Sequence, residues 1–165
     1  MKYSMDEIRQ YVIEEDVKFL RMAFCDVYGT QKNISIQPDE LDRAFAYGIA
    51  FDASAIPGFG SEIHSDLFLR PDTGTLCVLP WRPDHGRVVR MFCSILHPDG
   101  TPFESDTRRI LQAAVDEAES LGISFAFGSE LEFYLFQRDE AGEPTKIPYD
   151  HAGYMDIAPE DKGEN

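Results

Sequence analysis

The sequence is poor in several things, and each scarcity narrows what the chain can be. Its 165 residues hold three cysteines, Cys25, Cys77 and Cys93, widely spaced and without a C-x-x-C pair. That count excludes a disulfide framework and offers no zinc-ligand spacing. Each cysteine sits in an apolar run, so each is expected to be a reduced, buried thiol of a cytosolic protein. No apolar run is long enough to cross a bilayer, and residues 1–7 carry no apolar signal segment, so a cytoplasmic chain with no membrane partner is expected. Positive charge is scarce: 15 Lys and Arg face 30 Asp and Glu, for a net charge of −15, which argues against nucleic acid as a partner. A Gly-rich phosphate loop of the P-loop type, internal repeats and low-complexity tracts are all missing.

What is present is a globular composition with acidity concentrated late. Residues 1–104 carry 10 basic and 16 acidic side chains, net −6, and residues 105–165 carry 5 and 14, net −9. A solvated surface explains this by default, and cation binding is the sharper reading. Ser4 followed by Glu7 fits a capping box, and Ile8, Tyr11 and Val12 fall at helical spacing, which predicts a helix over residues 5–15. Residues 17–27 read as a central strand, and residues 32–37 alternate and complete a hairpin. Pro38 suits a first helical turn, with Leu41, Ala44 and Phe45 inward and Gly48 as a left-handed stop. Residues 49–65 read as a long irregular, functional loop. Strands are expected at 66–70, 76–80 and 87–96, with turns at Gly74 and Pro83-Asp84-His85-Gly86. The loop 97–102 is the expected domain boundary. Asp106 caps a helix running to about Leu121, with Ile110, Leu111, Ala114, Ala118 and Leu121 inward and Gly122 as the stop. Residues 137–165 show no periodicity.

One stretch is unusual. Ala126-Phe127-Gly128-Ser129-Glu130-Leu131-Glu132-Phe133-Tyr134-Leu135-Phe136 is apolar enough for a buried strand yet carries two carboxylates. Alternation puts Phe125, Phe127, Leu131, Phe133 and Leu135 on a core face and Gly128, Glu130 and Glu132 on the other. Same-face neighbours on a strand lie roughly 6.5–7 Å apart. Each carboxylate can then hold its own ion, or both can flank one site, and hard oxygen donors favour Mg²⁺ or Mn²⁺ over zinc. An amphipathic edge strand with a wet acidic face is the alternative. The expected fold class is α+β: a small N-terminal domain with a mixed or antiparallel sheet over residues 1–104, then a helix and a strand over 105–165 that open a second, truncated domain.

Several stretches together resemble the N-terminal part of glutamine synthetase of type I. Phe51-Asp52-Ala53-Ser54-Ala55-Ile56-Pro57-Gly58-Phe59 is similar to F-D-G-S-S-I-x-G-[FW], and Ser65-Asp66-Leu67-Phe68-Leu69-Arg70-Pro71-Asp72, with Thr75, to S-D-M-x-L-x-P-D-x-x-T. The carboxylate stretch is similar to G-x-E-x-E-F-F-L-F. Weaker echoes are Asp26-Val27-Tyr28-Gly29 with Lys32, and Gly153-Tyr154-Met155-Asp156. Order and spacing agree over nearly the whole chain.

The resemblance implies a β-grasp-like N-terminal domain and the opening of a catalytic domain belonging to a longer parent. It implies a ligase that joins ammonia to glutamate with ATP as substrate, through γ-glutamyl phosphate, with Mg²⁺ or Mn²⁺ at two sites. By the same match Asp52 receives ammonium and accepts its proton, and Asp66 helps shape that site. Glu130 and Glu132 each ligate one ion, Glu132 on the glutamate side and Glu130 on the phosphate side. The parent is expected to be a cytoplasmic homo-oligomer of stacked hexameric rings, with the Asp52 loop serving a neighbouring subunit. The fragment alone is expected to be inactive. Two positions depart from the motif: Ala53 replaces Gly, and Ala55 replaces the second Ser. A γ-glutamyl–amine or polyamine ligase of the same fold, and a non-catalytic β-grasp interaction module, are the alternatives. Read without the resemblance, Asp52 caps a turn, Asp66 pairs with Arg70 or Arg87, Asp72 is turn chemistry and Trp81 is packing. His64, His85, His97 and His151 then read as surface residues.

Overall fold

The computed structural model describes residues 3–59, 66–81 and 86–163. Ser65, His64, His85 and the Pro83-Asp84 part of the expected turn lie outside the described residues. The chain forms two units, Met1–Ser124 and Phe125–Asn165.

The first unit opens with α1, Met5–Glu14, held by a reciprocal capping box: Glu7 donates its amide to Ser4 Oγ at 3.2 Å, and Ser4 its amide to Glu7 Oε2 at 2.7 Å. Ile8 and Val12 are the residues it buries. Strand β1, Val17–Cys25, and β2, Gln31–Ile36, make the expected antiparallel hairpin, with Met22 opposite Ile34. A 3-10 turn at Pro38–Glu40 leads into α2, Leu41–Tyr47. The helix stops at Gly48 (φ +81°), where a Cβ would stand 3.1 Å from the Leu69 carbonyl oxygen and 3.2 Å from Phe68 Cβ. Glycine is needed there for both the backbone and the space.

The expected loop at 49–65 begins with a strand. Residues Ile49–Asp52 form β3, antiparallel to β4, Asp66–Pro71. A run of four residues is too short to show a period of two, so only the pairing with β4 reveals it. β5 is brief, Cys77–Val78, and β6, Arg87–Leu96, is long and central. The sheet order is β2-β1-β6-β4-β3, with β5 beside β6; β1 and β6 run parallel and the other pairs antiparallel. The expected mixed sheet and α+β class are what the chain forms.

One face of this sheet carries the core. Leu20, Met22 and Phe24 of β1, Val89, Met91, Cys93 and Ile95 of β6, and Leu67 and Leu69 of β4 meet Ile8, Val12, Leu41 and Ala44 from the helices. Period-two alternation puts β1, β6 and β4 in phase, which is why the apolar residues converge on one side.

Helix α3, Thr107–Ser120, starts at Asp106 as expected, but its apolar stripe does not pack. Ala118 is buried; Ile110, Leu111 and Leu121 are more than half exposed, and Ala114 is exposed. The stripe has the right period and finds no apolar cover among the described residues.

The second unit corrects a larger expectation. Residues 126–135 form no strand, and Phe127, Leu131 and Phe133 are 89%, 81% and 74% exposed instead of core. The alternation itself survives: the rings of Phe125 and Phe127, two residues apart, stack with centroids at 5.9 Å. A strand is made by hydrogen-bonding neighbours, and among the described residues only the Tyr149 amide, donating to the Leu135 carbonyl at the end of the stretch, supplies one from outside it. Further on, where no periodicity was visible, β7, Phe136–Arg138, pairs antiparallel with β8, Pro144–Pro148. Asp139 shapes the connection by accepting the amides of Ala141 and Glu143, both at 2.9 Å.

Candidate functional site

The end of the β3–β4 ladder brings two of the sequence candidates together. Asp52 and Asp66 are direct cross-strand partners, and both are exposed. Carboxylates opposed in this way repel each other, so the pair favours a cation between or beside them. Asp52 is also the turn cap that its sequence allowed. Its Oδ1 accepts the Ser54 amide at 2.9 Å and the Ser54 hydroxyl at 2.6 Å, opening the 3-10 turn Ala53–Ala55. The Ser54 hydroxyl first, and its amide second, hold the Asp52 carboxyl below the usual carboxylate range, while the small burial opposes them. Asp52 Oδ2 has no hydrogen-bond partner among the described residues. Asp66 forms no ion pair with Arg70 or Arg87 among the described residues; Arg87 instead meets Glu15 at 2.9 Å.

The loop after Asp52 is anchored from below. Ala53, at the position where the motif has Gly, is fully buried and its methyl belongs to the core. Ala55, where the motif has Ser, is exposed. Phe59 is buried against Phe24 (centroids 5.8 Å) and Phe103 (5.2 Å), and Phe51 lies 5.1 Å from Phe24. Gly58 (φ +82°) allows the chain to cross Val27: a Cβ there would stand 2.7 Å from Val27 Cγ2. That crossing ties the loop to the Asp26-Val27-Tyr28-Gly29 turn. Asp26 is buried, accepts the amides of Tyr28 and Thr30 at 2.9 Å each, and lies 3.4 Å from Lys32 Nζ. The spacing of Asp26 and Lys32 in the sequence is thus that of a closed, charge-paired turn.

Other candidates resolve into support. Asp72 is turn chemistry, accepting the Gly74 amide at 3.0 Å, and also pairs with Arg108 at 2.8 Å. Asp106 is a buried carboxylate with two duties: Oδ1 caps α3 at the Arg108 amide, and Oδ2 accepts the Ile95 amide, both at 3.0 Å. The sequence showed the cap alone, because the second bond depends on β6 lying alongside. His97 lies against Phe103 and within 3.2 Å of Glu104, and His151 is exposed. Trp81, expected as packing, is 67% exposed. The cysteines also differ from expectation: Cys93 is buried, Cys25 half-buried and Cys77 exposed, all free thiols.

Glu130 and Glu132 belong to the second unit. Both are exposed, and neither has a hydrogen bond or ion pair among the described residues. No group of three or more His, Cys, Asp or Glu suited to a metal ion occurs among the described residues. Two unpartnered carboxylates two residues apart remain a hard-oxygen donor set that fits Mg²⁺ or Mn²⁺.

A mixed sheet with both helices of its core on one face defines a β-grasp-type domain, and comparison with known proteins agrees. A family model described as "Glutamine synthetase, beta-Grasp domain" matches residues 16–98, and one described as "Glutamine synthetase, catalytic domain" matches residues 104–165. The chain belongs to the glutamine synthetase family. It is 44% identical over 164 residues to a glutamine synthetase of Clostridium saccharobutylicum and 42% identical to one of Staphylococcus aureus. In both cases the match covers 99% of this chain and 37% of the relative, so the chain spans little more than a third of these curated relatives. A solved Plasmodium falciparum glutamine synthetase superposes with a TM-score of 0.66 at 21% identity, over 74% of this chain and 24% of that one. A structure described as a GmaS/ADP complex gives 0.62 at 23% identity, over 68% of this chain and 25% of that one. These two likenesses speak to the fold.

Proposed function

We propose that this chain is the amine-receiving and metal-anchoring portion of an ATP-dependent glutamate–ammonia ligase. ATP phosphorylates the γ-carboxylate of glutamate, and ammonia displaces phosphate from γ-glutamyl phosphate to give glutamine. The observation that carries this reading is the cross-strand pair of Asp52 and Asp66 at the end of a rigid ladder. The Ser54 hydroxyl and amide hold the Asp52 carboxyl below the ordinary range, and its Oδ2, without a hydrogen-bond partner among the described residues, suits a cation. An anionic side chain suits both parts of the task, because it holds NH₄⁺ and helps take a proton from it. Asp66 adds the second negative charge.

Glu130 and Glu132 are assigned to two divalent ions, Mg²⁺ or Mn²⁺, Glu132 on the glutamate side and Glu130 on the phosphate side. Such ions, when bound, supply positive charge that neutralises the transferred phosphoryl group. The role of these two residues is to fix where that charge sits. The domain division is assigned at 104/105, supported by the limits of the two family matches. The whole protein is assigned as a cytoplasmic oligomer of stacked hexameric rings, and the chain alone as inactive.

Ala55 supports a second reading. Losing a hydroxyl from the motif beside Asp52 removes one acceptor that ammonium would donate to, which suits a bulkier, less hydrogen-bonding amine. In the family-length protein, Asp52→Ala is expected to lower turnover with ammonium by about 10²-fold or more while nucleotide affinity changes little. Wild-type turnover preferring an alkylamine or polyamine over ammonium establishes the second reading. Equal loss of ATP binding in Asp52→Ala contradicts the assigned role.

A further inference from the structure

We propose that Arg21 and Arg90 form an oxyanion-binding site on the sheet face opposite the core. The two residues are direct partners in the parallel β1–β6 ladder, so their side chains leave the same face from strands about 4.8 Å apart. Ser35 of β2 and Cys77 of β5 complete that row, giving Ser35, Arg21, Arg90 and Cys77 across four strands. Both arginines are half-buried. Neither has an ion pair or a hydrogen bond among the described residues, and the Nε of each is buried without a partner. The neighbouring rows, Phe19 with Val88, and Asn33, Ala23 and Phe92, carry no carboxylate. In a chain with 30 acidic residues, Arg9, Arg43, Arg87 and Arg108 each find one.

Two like charges side by side and two buried, unsatisfied donors are both costly. One ligand relieves both costs: an anion with two or more oxygens accepting from both guanidinium forks. Arg90 is prepared for this. Its guanidinium carbon stands 4.5 Å from the Phe92 ring centroid, a cation–π contact that holds the group in place without using any of its N–H donors in a conventional hydrogen bond. The shared chemistry is that of a carboxylate or a phosphate, held bidentately.

The test is a titration of the 165-residue chain with sodium succinate and, separately, with inorganic phosphate. It is run at fixed ionic strength against sodium chloride and followed by the Arg Nε–H resonances in ¹⁵N NMR. The Arg21 and Arg90 signals are expected to shift saturably with at least one oxyanion and not with chloride. The tighter of the two anions identifies the headgroup. Arg21→Gln and Arg90→Gln are each expected to weaken binding roughly tenfold. Arg90→Lys should fail to restore it, because the fork is lost. If neither oxyanion moves the two signals saturably, the proposal is overturned. It is equally overturned if the Gln variants, correctly folded, bind as the wild type does. Should those variants not fold, the wild-type signals decide alone.

Discussion

Cys93 and Cys77 show how much a residue owes to its phase along a strand. Cys93 shares a face with Met91 and Ile95, and burial pushes its thiol up to about 12. Cys77 lies opposite Arg90 on the other face and is exposed. Iodoacetamide near neutral pH should therefore alkylate Cys77 rapidly and leave Cys93 untouched until denaturant is added. Mass spectrometry showing both labelled at one rate in the native chain would contradict this. The apolar runs around the cysteines are alike in sequence; only the register says which thiol points inward. Asp26 makes a second point at this scale. Burial pushes its carboxyl up, but the Thr30 and Tyr28 amides and the Lys32 ammonium outweigh it and hold it below the ordinary range. A carboxyl whose folded pKa is lowered stabilises the fold above its unfolded value, and that contribution fades as pH falls through the folded one. Asp26→Asn should thus be less stable than wild type at pH 7, with the gap closing below about pH 4. A gap in denaturation midpoint that stays constant into acid would refute the assignment.

Elements depend on such residues in unequal degree. Asp106 fastens the start of α3 to β6 through two amides, Arg108 and Ile95. Removing it strips a cap and leaves a buried donor unpaired, so Asp106→Ala should destabilise the first unit by about 1–3 kcal/mol in urea unfolding. A change under about 0.5 kcal/mol would show the bonds to be incidental. The elements that were legible from sequence were those with a local signature. The capping box gave α1, Gly48 gave the end of α2, an apolar run gave β1, alternation gave β2, and turn signals on either side set off β4 and β6. Those that were not legible are made by partners. β3 exists because β4 pairs with it; β7 and β8 exist because Asp139 folds the turn between them. The converse error has the same cause. Residues 126–135 have the pattern of a strand and the stripe of α3 has the pattern of a packed helix, and neither meets, among the described residues, the surfaces that would use those patterns.

At the scale of the molecule, the candidate site was partly legible. Motif order pointed to Asp52, Asp66, Glu130 and Glu132, but only the ladder register shows that Asp52 and Asp66 face each other. The Arg21 and Arg90 pair is invisible in sequence because neighbouring strands 69 residues apart carry no local trace of their contact. The proposed function assigns Glu130 and Glu132 to two divalent ions, one to each. Calorimetric titration of Mn²⁺ into the family-length protein and its Glu130→Gln and Glu132→Gln variants, with and without nucleotide, tests it most directly. Each variant removes one charge and keeps the shape, so each should lose or weaken one of two sites by at least about tenfold and abolish activity without unfolding. Nucleotide should modify the remaining sites differently in the two variants, Glu130→Gln showing the larger loss of nucleotide-linked binding. Two metal sites of wild-type affinity in both variants would contradict the account and leave this stretch as a wet acidic surface.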